Sequence, residues 1–268
     1  MNVVLIGVGA WGKNYIKTIE NNFPDVNLTL ANRYDWKNLI DDNPDGVIVA
    51  TPPDSHIEIA SYALERNIPT MIEKPLALSL EQALVLKKFE HVPILVNYIQ
   101  LFSQGYEKLK LFTNYQKINK ITTNGYNNSP TRSYSSLWDY GPHDIAMILD
   151  LIQTMPSKIE ANVLSKNIYQ IIMYFDELIS TSIVGSGALE KKRDITINCN
   201  KIDICYNDIN RPKYHKAPLY NVLLIFTRAI SYYKNNGNIN NFDDRLGLDL
   251  SFKVIQVLEE CEKLLKNK

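Results

Sequence analysis

The opening stretch, MNVVLIGVGAWG, limits the folds open to this chain more than any other segment. Its apolar run, VVLIGV, is continuous and bounded by glycine, so it predicts a strand that is buried on both faces of a sheet. The following segment, WGKNYIKTIENN, spaces its apolar residues at helical intervals. A buried strand that leads directly into a helix is typical of a parallel sheet covered by helices.

The same alternation continues to about residue 100. Further strands are predicted at VNLTLAN, GVIVATPP, PTMIEKP and VPILVNY, and further helices at HIEIASYALERN and SLEQALVLKKFE. In the last of these, Ser79 with Gln82 three residues later predicts a capping-box start. We therefore predict an α/β domain with a parallel sheet over residues 1–104.

After residue 105 the pattern changes to strand-like segments that follow one another closely. They are KINKITTNGYN, KIEANVLSKN, YQIIMYFDE, LISTSIVGSG, RDITINCN and KIDICYND. Such spacing favours an antiparallel sheet. One helix is expected after the first of these strands and two more at the end of the chain. Residues 105–268 are thus predicted to form a second, α+β domain with a mostly antiparallel sheet.

Composition excludes several classes of protein. Lys plus Arg and Asp plus Glu number 29 each, which argues against a nucleic-acid partner or a membrane surface. No apolar run approaches the roughly 20 residues that span a bilayer, and the N-terminus lacks the basic region of a signal peptide. Three cysteines without paired spacing favour reduced thiols, and four scattered histidines argue against a metal site. A cytoplasmic protein without a metal is expected.

The three glycines after the first strand spell G-x-G-x-x-G at the mouth of the first helix. In this context Gly7 permits a tight turn, Gly9 lets the backbone approach a pyrophosphate, and Gly12 lets helix and strand pack closely. The helix N-terminus adds N–H donors and partial positive charge. The pattern predicts a dinucleotide site that also includes Ala10 and Trp11; an ordinary glycine-rich turn is the alternative.

The end of the second strand bears on the choice of cofactor. A dinucleotide site usually places an acidic residue there, about 20 residues after the glycines, to bind the ribose. Here the sequence has Asn32 and Arg33 instead. Because an arginine beside that position accommodates a 2′-phosphate, these residues favour NADP over NAD, unless Arg33 is simply solvated.

The later strands end in polar residues where open α/β sheets bind ligands. The predicted cofactor contacts at these ends are Thr51, Pro52, His56, Glu73 and Lys74. For His56 a structural role and a catalytic role both remain open. Tyr98, after the last strand of the series, is a candidate substrate contact.

The segment LWDYGPHDIAMILD, residues 137–150, contains three groups that can take part in chemistry. If a helix starts at Asp139, then His143 lies one turn later on the same face, and Asp139 can orient the imidazole. Pro142 would then fall in the first turn, where its missing N–H costs nothing. Asp144 points to another face and is expected to stabilise the helix N-terminus electrostatically. Simple helix capping is the alternative for Asp139.

Together with the glycine motif, ATPPDSH (50–56), EKPLALS (73–79) and DYGPHD (139–144) make the chain resemble the Gfo/Idh/MocA oxidoreductases over nearly its whole length. The resemblance implies a Rossmann domain followed by an α+β domain. It also implies NAD or NADP as cofactor for oxidising a hydroxyl, or reducing a ketone, on a sugar, cyclitol or nucleotide sugar. Lys74, Asp139 and His143 match the residues that the family places near the nicotinamide and the substrate.

The chemistry makes the same demand on these residues. Hydride transfer to or from a carbinol carbon leaves a proton to move on or off the oxygen. His143 has a suitable ordinary pKa, and Lys74 can serve as acid or base, or stabilise a developing alkoxide.

The chain is a short member of such a family, because between the second and third strands there is room for only one short helix, DWKNLIDDN. We expect a sugar or nucleotide-sugar oxidoreductase, in bacterial surface-polysaccharide or deoxysugar metabolism. The alternatives are a non-catalytic relative that binds a dinucleotide or sugar, and an imine or thioimide reductase. Apolar alternation in YQIIMYFDE and LISTSIVG allows a homo-oligomer that assembles through the outer face of the second-domain sheet.

Overall fold

The computed structural model describes residues 1–114, 116–130, 132–200, 202–207, 218–240 and 242–267. The chain forms two compact units. The first comprises Met1–Ile99 with Lys216–Phe252, and the second comprises Gln100–His215 with Lys253–Lys268. The first unit thus includes a late segment of the chain, which a division by sequence alone at residue 104 would assign to the second domain.

The first unit is built on a five-stranded sheet. Its strands are β1 (Asn2–Ile6), β2 (Asn27–Ala31), β3 (Gly46–Val49), β4 (Thr70–Glu73) and β5 (Ile94–Asn97). They lie in the order β2-β1-β3-β4-β5, and every neighbouring pair is parallel. Every residue of β3, β4 and β5 is buried, which explains their continuous apolar runs. The predicted Rossmann-type sheet is confirmed.

The described helices include those predicted around the first sheet. Their bounds are α1 (Gly12–Asn22), α2 (Trp36–Asp41), α3 (His56–Leu64), α4 (Leu80–Leu84), α5 (Gln104–Thr113), α6 (Ser136–Ile152), α7 (Pro218–Asn236) and α8 (Leu248–Lys266). The Ser79 hydroxyl accepts the N–H of Gln82 at 3.2 Å, so the predicted cap of α4 is present. As expected, α2 is the one described element between β2 and β3, which leaves β2 at the edge of the sheet.

The second unit contains a six-stranded mixed sheet. Its strands are β6 (Ile118–Tyr126), β7 (Lys158–Ser165), β8 (Ile168–Tyr174), β9 (Ile179–Gly185), β10 (Lys192–Cys199) and β11 (Asp203–Asn207). They lie in the order β11-β10-β6-β9-β8-β7. All neighbours are antiparallel except β6 and β9, which are parallel. The mostly antiparallel sheet was therefore predicted correctly.

Helix α6 starts earlier than Asp139. Its first residue is Ser136, because the Ser135 hydroxyl accepts the N–H of Leu137 at 3.2 Å and so caps the helix. Pro142 consequently lies inside the second turn, and its predicted place in the first turn is wrong. Asp139 is in the first turn, and His143 follows one turn later on the same face, as expected.

The expected role of Asp144 is also wrong. Asp144 lies in the third turn of α6 and is fully buried, and its carboxylate accepts a hydrogen bond from Arg193 Nη1 of β10 at 2.6 Å. Burial raises the pKa of the Asp144 carboxyl, and the arginine opposes that shift. The pair attaches α6 to the sheet, because an ion pair buried at this depth cannot separate without leaving a bare charge.

None of the helices in the described ranges is both long and apolar enough to cross a bilayer.

Breaking the buried pair should destabilise the protein strongly. In Asp144→Ala the Arg193 guanidinium, whose side chain is only 12% exposed, loses its counter-ion. We expect the free energy of unfolding in urea to fall by about 3–5 kcal/mol. Lys158→Ala, which breaks the exposed Lys158–Glu160 pair of β7, is the control and should leave the unfolding transition in place. Equal, small losses in both variants would contradict this role for Asp144.

Candidate active site

The glycine motif forms the turn between β1 and α1 at the carboxyl edge of the parallel sheet. Gly7 has φ of +101°, and a Cβ there would lie 2.5 Å from the Ala50 carbonyl oxygen. A Cβ on Gly12 would lie 2.1 Å from the Gly7 carbonyl oxygen. Both positions therefore require glycine, the first for its backbone conformation and the second for close approach of helix and strand.

Gly9 lies on the open side of the same turn. A Cβ there would meet no atom within 4 Å, and the neighbouring residues Ala10 and Trp11 are exposed. The N-terminus of α1 follows directly, and no side chain caps it. Open space beside exposed backbone at a helix N-terminus fits a dinucleotide pyrophosphate.

The loop after β2 contains a carboxylate that the sequence reasoning did not use. Asp35 accepts the backbone N–H of Asn32 at 2.7 Å through Oδ1, and it also accepts the Asn32 side-chain amide through Oδ2. Asn32 Oδ1 accepts the N–H of Tyr34 at 2.7 Å. These hydrogen bonds join residues of the loop to one another. Arg33 is exposed, and its guanidinium lies 5.4 Å from the Tyr34 ring centroid.

His56 lies beneath the ends of β3 and β4 and is fully buried. Its Nδ1 is 2.9 Å from the Pro75 carbonyl oxygen, and its Nε2 is 2.9 Å from the Thr51 carbonyl oxygen. Burial lowers the pKa of His56, and the surrounding carbonyls oppose that shift. This position gives His56 a structural use, which is to link the turn at Thr51 and the exposed Pro52 to the segment that follows Lys74.

Glu73 is buried at the end of β4, next to the half-buried Lys74. Its Oε1 accepts hydrogen bonds from Tyr15 OH at 2.6 Å, from Asn97 Nδ2 at 2.7 Å and from Trp11 Nε1. Burial raises the pKa of Glu73, while these donors and Lys74 oppose the shift. Tyr15 and Asn97 were not predicted as site residues; they lie within a predicted helix and a predicted strand.

Tyr98 is also fully buried in the first unit. Burial raises the pKa of its hydroxyl, and the neighbouring Ser251 side chain opposes that shift. Its predicted substrate contact stays a prediction, and the described surroundings of this ring belong to the core.

In the second unit Asp139 is buried in the first turn of α6, and His143 is half-buried. Two residues of the preceding loop, which the sequence reasoning missed, bind the Asp139 carboxylate. Arg132 Nε lies 2.7 Å from Oδ2, and Tyr134 OH donates to Oδ1 at 3.4 Å. Burial and the Asp139 charge raise the pKa of Tyr134 to about 12, so it remains a donor. The sequence signal that could have identified Arg132 and Tyr134 is that they are polar residues in the loop that precedes the D-x-x-x-H motif.

Within the described ranges, no group of three or more His, Cys, Asp or Glu side chains is arranged to hold a metal ion.

Comparison with known protein families gives a match over residues 30–91. The matching family is Gfo/Idh/MocA, described as an oxidoreductase family with an NAD-binding Rossmann fold. The predicted resemblance is therefore confirmed in the segment from β2 to the end of β4 and beyond. No curated protein matches the sequence.

Solved structures match the whole chain. A protein from Magnetospirillum magnetotacticum MS-1 has a TM-score of 0.85 and 24% identity, with 97% of this chain and 99% of that one covered. UDP-N-acetylglucosamine 3-dehydrogenase from Acidithiobacillus ferrooxidans has a TM-score of 0.83 and 14% identity, with 98% and 97% covered. Myo-inositol dehydrogenase from Lactobacillus casei, in complex with NAD(H) and myo-inositol, has a TM-score of 0.82 and 15% identity, with 100% and 95% covered. At these identities the similarity shows a shared fold.

The buried Glu73 carboxyl should make stability depend on pH. Its folded-state pKa lies above the ordinary 4.5, so between pH 4.5 and that raised value the native protein binds more protons than the unfolded chain. Stability relative to Glu73→Gln should therefore fall as pH rises through this window, by up to about 1.4 kcal/mol per pH unit. Urea unfolding of both proteins from acid to neutral pH measures this difference. A pH-independent difference would show that the carboxyl does not titrate abnormally.

Proposed function

We propose that the chain is an oxidoreductase of the Gfo/Idh/MocA family and that it transfers a hydride between a nicotinamide dinucleotide and a hydroxyl or keto carbon of a sugar or nucleotide sugar. The observation that carries the proposal is the glycine turn, which is open on the side of Gly9. The turn lies in the same unit as Lys74, which follows β4. Two proteins whose solved structures share this fold are named as dehydrogenases of UDP-N-acetylglucosamine and of myo-inositol, which supports this substrate class.

The residues proposed to hold the dinucleotide lie at the carboxyl edge of the first sheet. Backbone groups of the Gly7–Gly12 turn would bind the pyrophosphate, since the turn is open there and the α1 N-terminus is uncapped. Thr51 and Pro52 follow β3, the strand next to β1, and would flank the same ligand. When bound, the nicotinamide supplies the hydride acceptor or donor.

We propose NADP as the preferred dinucleotide. Asn32 and Asp35 bond one another, so the Asp35 carboxylate already has two donors and is less available to a ribose hydroxyl. Arg33 is exposed in the same loop and can pair with a 2′-phosphate.

Lys74, Asp139 and His143 are the proposed proton-handling residues. His143 would give or take the proton of the reacting oxygen, and Lys74 would stabilise or protonate that oxygen. Asp139 would orient the imidazole from one turn earlier in α6. In this scheme Arg132 and Tyr134 hold the Asp139 carboxylate in place through one hydrogen bond to each oxygen.

The biological setting and assembly are part of the same proposal. A substrate of this class suits bacterial surface-polysaccharide or deoxysugar synthesis. Ile172 and Ile183 are half-exposed on the sheet face opposite the buried Ile171 and Met173, and a second copy could cover that face. Light scattering that reported a monomer at all accessible concentrations would contradict a homo-oligomer.

Cofactor titration tests the choice of dinucleotide. Isothermal titration with NADPH and NADH should show tighter binding of NADPH. Arg33→Ala should weaken NADPH binding by about tenfold, the equivalent of one lost ionic contact, and leave NADH binding unchanged. Lys37→Ala, which removes another exposed cation from the neighbouring helix, is the control. Absence of binding of either dinucleotide at millimolar concentration would overturn the enzyme proposal.

Turnover tests the proton-handling residues. A screen of keto sugars and keto nucleotide sugars, followed by loss of NADPH absorbance, should identify a substrate. Lys74→Ala and His143→Ala should then each lower kcat by about 10²-fold or more. The exposed residues Lys88 and His91 offer matched controls as Lys88→Ala and His91→Ala. Dinucleotide binding without turnover in the whole screen would favour the binding-only alternative, and full activity in both active-site variants would relocate the site.

A further inference from the structure

We propose that Trp11 is a positioning residue, whose indole N–H bond to Glu73 holds the glycine turn in the conformation that receives a dinucleotide. The inference rests on the proposed dinucleotide-binding function. It assigns to Trp11 an action through the protein interior, in addition to its place in the G-x-G-x-x-G pattern.

The first observation is that three donors meet at one oxygen. Trp11 Nε1, Tyr15 OH and Asn97 Nδ2 all donate to Glu73 Oε1. The donors come from the glycine turn, from α1 and from β5, while the acceptor belongs to β4. One carboxylate oxygen thus joins four parts of the first unit.

The Asn97 side-chain amide is oriented towards the Glu73 carboxylate. Its Nδ2 lies 2.7 Å from both Glu73 Oε1 and Tyr15 OH. Among the described residues its Oδ1, although buried, has no hydrogen-bond partner. The amide is therefore turned so that its donor serves the carboxylate, even though its acceptor is left unsatisfied.

The second observation concerns the turn itself. Trp11 is the N-cap residue of α1, and no side chain makes a capping hydrogen bond there. A backbone bond from Lys13 N–H to the Gly9 carbonyl oxygen, at 3.1 Å, restrains the turn from the helix side. The indole bond adds a side-chain restraint from the interior, because it ties the N-cap residue to Glu73, which is only 6% exposed.

Exposure distinguishes Trp11 from the other members. Trp11 is 38% exposed, whereas Tyr15 and Asn97 are fully buried. Trp11 is therefore the member of the cluster that connects the interior to the surface where the pyrophosphate is proposed to bind.

The same cluster fixes the start of the segment that bears Lys74. Glu73 is the last residue of β4, so holding its side chain restrains the backbone from which Lys74 follows. Glu73 also lies opposite Asn97 in the register of β4 and β5, which adds a lateral restraint. The glycine turn and the Lys74 position thus share one hydrogen-bonded node.

This mechanism predicts a pattern that differs from that of Arg33. Trp11 acts on the pyrophosphate turn, which NADH and NADPH have in common, so Trp11→Phe should weaken both by about the same factor, roughly tenfold. Phenylalanine keeps an aromatic ring but removes the donor. In the ligand-free protein, amide hydrogen exchange of residues 8–13 should become faster, because the turn loses its restraint.

Tyr15→Phe is the matched control, since it removes a hydroxyl donor from the same oxygen but from inside α1. It should lower the unfolding temperature without a selective increase in exchange of residues 8–13. Glu73→Gln is a second test if Trp11→Phe fails to fold, and it should accelerate exchange in the same residues because the acceptor charge is lost.

The possible outcomes separate the two proposals. If the unmodified protein binds neither dinucleotide, the proposed function fails, and hydrogen exchange alone still decides the role of Trp11. If Trp11→Phe binds both dinucleotides with unchanged affinity and exchanges like the unmodified protein, Trp11 is not a positioning residue. A loss confined to NADPH would likewise overturn the inference.

Discussion

The buried carboxylate of Glu73 is the constraint on which the first unit depends. A charge with almost no exposure to water must be satisfied by donors, and here they come from the turn, the first helix and the neighbouring strand. The requirement orders those elements around the end of β4. The end of β4, which Lys74 follows, is in this way held in a fixed position relative to the first helix.

The second unit uses a related device. Asp144 and Arg193 join α6 to β10 through an ion pair in which the carboxylate is fully buried. One turn earlier, Asp139 receives Arg132 and Tyr134 from the loop before the helix. Each aspartate of D-x-x-x-H-D therefore has an arginine partner, one in the core and one near the surface. The two arginine side chains differ in exposure, at 12% for Arg193 and 62% for Arg132.

Much of the fold follows from local patterns. The buried strands, the capping of α4 by Ser79 and the requirement for glycine at position 12 all depend on neighbours close in sequence or on the strand–turn–helix unit itself. The start of α6 was placed three residues too late, because Ser135 caps it and the pattern before Asp139 contains few apolar residues. Asp144 was misjudged because its partner lies on a strand 49 residues away.

By itself, the sequence determined the two kinds of sheet, the glycine turn and the motifs that resemble those of the Gfo/Idh/MocA oxidoreductases. It could do so because period, glycine spacing and motif are properties of contiguous residues. The tertiary structure alone decided which polar residues become partners. Glu73 is bonded by Trp11, Tyr15 and Asn97, and Asp144 by Arg193, because buried polar groups must be satisfied once the chain has packed. Buried polar groups need partners only once packing has removed water, so no pattern of neighbouring residues predicts which partners they take.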